Sequence, residues 1–315
     1  MRRVVGLVLI GLFGFLLVVG LFAQLVLPGV AKKTPLDVNI LQTLSGTGSY
    51  LGSEPGAVSA WQRTTNLPGS TSDVVVMQNF TCVTKDLGNP PFRSPECPPV
   101  GDPRLIDASP DKFATNRVTA LAVAGTSLLG TAGIGHDGLI NKFPFDVEKK
   151  TYPFWDTVLL RAVDAKFEGA ESVNGLSTYK FHILIENESA DIAKDTPGTY
   201  SDDKTMWVDQ ATGAIIDQSE NQTRALPNGD VALDLKGLAF TDATVKQNVD
   251  DAKANGSKLA IVALAPWISY LLAVVALVGG IILLRSAAKD RPAPASGASD
   301  SDIDGMMETP TSRSS

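Results

Sequence analysis

The 315 residues carry a formal net charge of -7, with 44% hydrophobic and 19% charged side chains. A glycine count of 28, 19 prolines and that apolar fraction exclude collagen, coiled coil and wholesale disorder. The acidic balance, with a sequence pI near 4.9, argues against nucleic acid as a partner, because phosphate binding needs a basic face.

The first element is an uncharged run from Val4 to Leu27. At 1.5 Å per residue it reaches about 36 Å, enough for a hydrocarbon core of roughly 30 Å. It is longer than the apolar stretch of a signal peptide, so a retained anchor is expected. A second uncharged run covers Leu259 to Leu284, with Pro266 in its first third and Trp267 and Tyr270 near its outer end. Arg2 and Arg3 precede the first run, and Arg285, Lys289 and Arg291 follow the second. Both sets read as cytoplasmic under the positive-inside rule. The expected organisation is a cytoplasmic N-terminus (1–3), a transmembrane helix (4–27), an extracytoplasmic β-rich domain (28–258), a second transmembrane helix (259–284) and a disordered cytoplasmic tail (285–315). The expected fold class is therefore a membrane-anchored α+β protein in the plasma membrane.

Within the middle section, Val74 to Met77 reads as a buried strand. Asn116 to Val123 resembles Asp209 to Ile216 at an offset of 93 residues (212 − 119). An internal duplication into two similar lobes is one reading of this echo. Asn174-Gly175 predicts a hairpin with a bulge or longer turn absorbed by Gly169 or Gly175, and a three-residue loop would set Phe167 opposite Ile183. Tyr179 to Glu186 alternates, placing Tyr179, Phe181, Ile183 and Ile185 on one face. Met206 to Asp217 reads as a hairpin with Gly213 at positive φ. Thr241 caps a helix from Asp242, with Val245, Val249 and Ala252 on one stripe and Gly256 as a joint before the second apolar run.

Cys82 and Cys97 are the only cysteines. Outside the cytoplasm such a pair oxidises, and the disulfide would stabilise by roughly 3 kcal/mol in the chain-entropy model. His136 and His182 have no cysteine or histidine neighbours at metal-ligand spacing and read as surface or hydrogen-bonded histidines. No nucleophile elbow, zinc-binding helix signature or phosphate-binding loop occurs. The expectation is no catalytic residue, no metal, no cofactor and no enzymatic activity. Asn79, Asn187, Asn221 and Asn255 begin glycosylation-type triplets, which a bacterial host ignores. Thr309 in the tail is a candidate phosphorylation site.

The densest segment runs from Lys142 to Asp156 and holds Phe143, Phe145, Tyr152, Phe154 and Trp155 with Pro144 and Pro153. The prolines keep it out of central strands and helix interiors. Its aromatics either plug one core or line an apolar groove suited to a flexible acyl chain. The five aromatics are the candidate lipid groove.

This same segment, together with Gly138, Trp207-Val208-Asp209, Thr212-Gly213 and Pro35-Leu36-Asp37, resembles the actinobacterial domain of unknown function 3068 family, also labelled the porin PorA family. The resemblance implies a two-span cell-envelope protein of high-GC Gram-positive bacteria. Some members are associated with polar growth and with envelope glycolipids such as trehalose mycolates or lipoglycans. On this basis the ectodomain is expected to bind or help traffic an envelope glycolipid beside a membrane lipid transporter or elongation complex. The alternatives are an extracytoplasmic scaffold or receptor for envelope-growth machinery, and a porin-like channel. The porin label sits uneasily with two helices that lack a polar stripe and with no series of lipid-facing strands.

Overall fold

The computed structural model describes residues 1–86, 96–123 and 135–289. Helix α1 spans Arg2–Ala31 and helix α2 spans Asp242–Lys289, so each apolar run lies inside a longer helix. Among the described residues ten strands lie between them. They are β1 (Asn39–Tyr50), β2 (Gly56–Asn66), β3 (Val74–Lys85), β4 (Leu105–Asn116), β5 (Tyr152–Asp156), β6 (Arg161–Val173), β7 (Leu176–Ala193), β8 (Thr196–Asp209), β9 (Ile215–Ala225) and β10 (Val231–Phe240).

The strands form one antiparallel sheet in the order β4-β3-β2-β1-β10-β9-β8-β7-β6-β5. The pairing of β1 with β10, Leu44 opposite Phe240 among its rungs, joins the two halves of the chain into that sheet. This overturns the two-lobe reading, because backbone hydrogen bonding runs across the boundary where two lobes would part. The echo behind that reading is a shared turn, described below. At the far end the sheet curls into a half-barrel, since Asp156 of β5 reaches Tyr200 of β8 across two intervening strands.

Alternation sets the inner face. Phe181, Ile183 and Ile185 point inward from β7, opposite Met206, Lys204 and Asp202 of β8. One apolar cluster forms there with Phe143, Tyr152 and Phe154, and another gathers Leu44, Val58, Ile216, Leu235 and Phe240 around the start of α2. Thr241 caps that helix through the Thr244 amide (3.4 Å), and Val245, Val249 and Ala252 are buried against the second cluster as the stripe predicts.

The expected bulge falls at Gly169, and one expectation, at Gly256, changes. The Asn174-Gly175 turn is a strict two-residue turn, with both residues at positive φ, and a bulge between Phe167 and Gly169 restores the register. Phe167 therefore faces Phe181, not Ile183, because the extra residue is absorbed in the strand and not in the loop. Gly256 makes no joint. The helix runs unbroken through it and through Pro266, since a glycine costs a helix interior only about 1 kcal/mol. The tail from residue 290 onward, with Thr309, lies outside the described residues, as does the Gly125–Gly130 stretch.

Among the described residues, 1–21 and 266–289 form a compact unit of their own. There α1 and α2 pack antiparallel. A Cβ on Gly6 would sit 2.9 Å from the Leu284 side chain, and one on Gly20 would sit 2.5 Å from the Tyr270 ring. Ser269 Oγ donates to the Leu16 carbonyl at 2.8 Å. Large apolar side chains, Phe15 and Leu271 among them, remain about two-thirds exposed along both helices.

Candidate functional site

The aromatic segment is positioned by backbone hydrogen bonds to two elements. The Leu139 amide donates to the Pro153 carbonyl (2.8 Å), and the Trp155 amide returns to the Leu139 carbonyl (2.6 Å). Farther on, Phe143 N donates to Gly213 O (2.8 Å) and Val147 N to Gln210 O (2.8 Å), so the β8–β9 turn cradles the segment. That turn is shaped by Asp209, whose Oδ2 accepts from the Thr212 amide (2.8 Å) and hydroxyl (2.5 Å). Gly213 adopts φ +72° and lies so close that a Cβ would be 2.1 Å from the Phe143 carbonyl oxygen.

The aromatics fill a core. Phe143 is fully buried, with ring centroids at 4.5 Å to Phe181, 5.4 Å to Tyr152 and 5.7 Å to Phe154. The Tyr152 hydroxyl accepts from the Glu148 amide at 2.9 Å. Trp155 points to the other side of β5 and stacks on His136 at 4.4 Å. Phe145 is half-buried under the Lys142 ammonium, 3.9 Å from its ring centre. Burial pushes that ammonium down to about 8 against the pull of Asp209. Phe143, Tyr152 and Phe154 thus share one cluster, while Trp155 and Phe145 stand apart from it. Of the five candidate groove residues, Phe143, Tyr152 and Phe154 are thus packed against one another in offset and edge-on geometry. A cleft of about 530 Å³ lies elsewhere, at the β7–β8 hairpin beside Ser189, Asp191, Pro197 and Pro227.

The other predicted residues fall into place. Cys82 and Cys97 form a disulfide with Cα atoms 6.0 Å apart. It fixes Cys97 to β3, and beside it Trp61 Nε1 donates to the Glu96 carbonyl at 3.1 Å. His136 is buried and bonds Asp111 at 2.9 Å, whereas His182 lies between Asp203 (2.8 Å) and Glu168 (3.1 Å) on the outer face. Among the described residues no group of three or more His, Cys, Asp and Glu could hold a metal ion.

The sequence reading missed a buried polar row on the inner face of β8 and β9. Lys204 Nζ sits 3.0 Å from Glu220 and 3.5 Å from Asp202. The Tyr200 hydroxyl donates to Asp156 Oδ2 at 3.0 Å. Gln222 Nε2 donates to Glu220 Oε1 (2.8 Å), and Arg224 Nε donates to Gln222 Oε1 (2.9 Å). Burial pushes the Lys204 ammonium down, but Glu220 and then Asp202 outweigh it and hold it well above the ordinary lysine value. Burial pushes the Asp202 carboxyl up to about 7 against the pull of Lys204. Glu220 is the nearer partner of Lys204, and burial favours the protonated form of Asp202. The signal was present in the period-2 order Tyr200, Asp202, Lys204, Met206, Val208, which puts charged and apolar residues on one face.

The profile of the family described as Porin PorA matches residues 5–282. A Porin PorA from Corynebacterium amycolatum is 29% identical over 93 residues, which is 26% of this chain and 24% of that protein. The chain thus aligns with about a quarter of that relative's length. Among solved structures, a LolA superfamily protein from Nitrosomonas europaea aligns at 8% identity and a TM-score of 0.13, over 70% of this chain and 94% of that one. An N-terminal dehydratase from the difficidin assembly line aligns at 7% identity and 0.12, over 67% and 82%. Scores this low establish no common fold.

Proposed function

The chain belongs to the Porin PorA family, and from that membership we propose a cell-envelope protein whose sheet domain is a non-enzymatic scaffold or receptor for envelope-growth machinery. The two apolar helices sit in the plasma membrane, both termini are cytoplasmic, and the sheet stands outside. The uncovered apolar side chains along α1 and α2 support the anchoring, since exposed apolar surface on this scale needs hydrocarbon or a partner. The Cys82–Cys97 disulfide supports the extracytoplasmic placement.

The observation that carries the scaffold reading is the filled aromatic core. Phe143, Tyr152 and Phe154, three of the residues the glycolipid-trafficking reading assigned to a groove, pack on Phe181, and this supports the scaffold over that reading. Crosslinking of the full-length protein in its own membrane tests the proposal. Recovery of the same membrane partner before and after lipid depletion is expected. Stoichiometric lipid in mass spectra of the purified protein, with no protein partner recovered, would restore glycolipid binding in its place.

The family's name favours a second reading, a conducting assembly. The sheet itself is a poor wall for a pore in lipid, because its outer face carries Lys180, His182 and Asp203. A channel would have to be lined by the helices of several copies. Conductance across planar bilayers by purified protein of known oligomeric state would establish it.

A further inference from the structure

The polar row on the inner face is not needed by a scaffold, and its connection to β5 gives it a role of its own. We propose that Asp202 is the proton-dependent half of a latch: protonated, it lets the Asp156–Leu160 turn stay closed on β8, and ionised, it loosens that turn and uncovers one edge of the aromatic core.

Asp156 does two things at once. Its Oδ1 accepts from the Val158 amide (2.9 Å) and the Leu159 amide (2.7 Å), which shapes the turn. Its Oδ2 accepts from the Tyr200 hydroxyl (3.0 Å), which ties the turn to β8. Val158 and Leu159 pack against the aromatic cluster, so the closed turn shields it. Leu160, at φ +51°, ends the turn in a conformation a leucine adopts only under constraint.

Asp202 is the next residue on the same face as Tyr200. Both its carboxylate oxygens are buried with no hydrogen-bond donor. The groups that face it are Tyr200 and Lys204 from β8, Glu220, Gln222 and Arg224 from β9, and Asp156 from the turn, while its β7 neighbour Ile185 brings no charge. With Asp202 neutral, two carboxylates (Asp156 and Glu220) balance two cations (Lys204 and Arg224). Ionisation adds a negative charge that nothing in the row offsets, in a site shielded from water. Lys204 is already engaged by Glu220 at the shorter distance, and Arg224 is spent on Gln222 and on the Ile192 carbonyl (3.0 Å). The movable carboxylate is Asp156, whose tie to β8 is one hydrogen bond. Burial of Asp202 puts the upper end of the transition near neutral pH.

Hydrogen exchange of the full-length protein in lipid nanodiscs, corrected for intrinsic exchange rates, reads the latch directly. Protection of the amides of residues 156–163 is expected to fall by up to roughly tenfold per pH unit between about pH 4 and pH 7 and to level off above that, while β2 and β3 keep theirs. Asp202→Asn should hold the turn protected across the range. A flat wild-type profile, or the same slope in Asp202→Asn, overturns the latch. Should Asp202→Asn fail to fold, Tyr200→Phe decides: it removes the tie with little change in volume and should expose the turn even in acid. Unchanged protection in Tyr200→Phe overturns the proposal as well.

Discussion

Ala120 and Gly213 occupy the same place in the same turn, 93 residues apart (213 − 120), at φ +58° and +72°. Four residues before each, a backbone amide closes the turn at 2.9 Å, Asn116 N to Leu121 O and Asp209 N to Ala214 O. The side chains of Asn116 and Asp209 accept from the amides of Thr119 (3.0 Å) and Thr212 (2.8 Å) in the same manner. The difference lies in what presses on the turn. The Phe143 and Pro144 carbonyls approach Gly213 closely, whereas Ala120 keeps its methyl group buried in the aromatic cluster.

Gly213→Ala should therefore cost far more than left-handed strain alone, which is about 1–2 kcal/mol. A Cβ 2.1 Å from one carbonyl oxygen and 2.3 Å from the next forces the 143–147 segment off the turn. The expected loss is about 4 kcal/mol or more in urea unfolding, in the range reserved for a disrupted core. Ala120→Gly should stay within about 1 kcal/mol of wild type, because relieved strain offsets the lost methyl burial and added chain entropy. Equal effects of the two substitutions would show that contact with Phe143 is not what matters.

Asp202 also makes global stability depend on pH. Its folded value, about 7, lies above the ordinary 3.8. The folded state then holds more protons than the unfolded chain between about pH 4 and pH 7, so stability falls as pH rises through that window and levels off above it. Asp202→Asn should flatten this slope and raise stability at pH 8 by on the order of 3 kcal/mol. Unfolding midpoints at matched ionic strength check it. An unchanged slope in the variant would assign the dependence to other groups.

Much of the architecture was legible because single-residue rules were decisive there. Uncharged runs found both helices, alternation found the face of Phe181, Ile183 and Ile185, and Thr241 marked the start of α2. Pairing between distant strands was not legible, since nothing local in Leu44 or Phe240 announces that β1 and β10 are neighbours. The aromatic segment was located correctly, but core and groove share one composition, and only ring-to-ring geometry separates them. The polar row was hidden for a different reason. Asp202, Lys204 and Glu220 are residue types normally assigned to solvent, and their burial follows from β5 folding back over β8.

The disulfide and Trp61 should report on each other. Replacing both Cys82 and Cys97 with Ala releases the β3–β4 connection, at a cost of roughly 3 kcal/mol for a separation of 15 residues. Trp61 also loses the Glu96 carbonyl that its indole bonds. A Trp61 side chain only 8% exposed in the native protein should become wetter. With the other three tryptophans changed to phenylalanine, the emission should shift to the red in the cysteine-free protein. Unshifted emission would mean that the connection stays on the sheet without its covalent tie.

The helix pair allows a paired test inside the apolar unit. Gly20 faces the Tyr270 ring at a distance no side chain fits, while Gly11 has nothing within 4 Å of where a Cβ would stand. Packing between apolar helices in lipid depends on such close approach, because burial against lipid gives no hydrophobic gain. Gly20→Leu should pry the helices apart, and Gly11→Leu should leave them together. Cysteines placed at Leu16 and Ser269, a site of contact, on a background lacking Cys82 and Cys97, would form a disulfide readily in the parent and in Gly11→Leu. Gly20→Leu is expected to slow that crosslink by roughly tenfold, the effect of about 1.4 kcal/mol of lost packing. Equal crosslinking in both would show that the pairing rests on the Gly6 and Gly280 contacts instead.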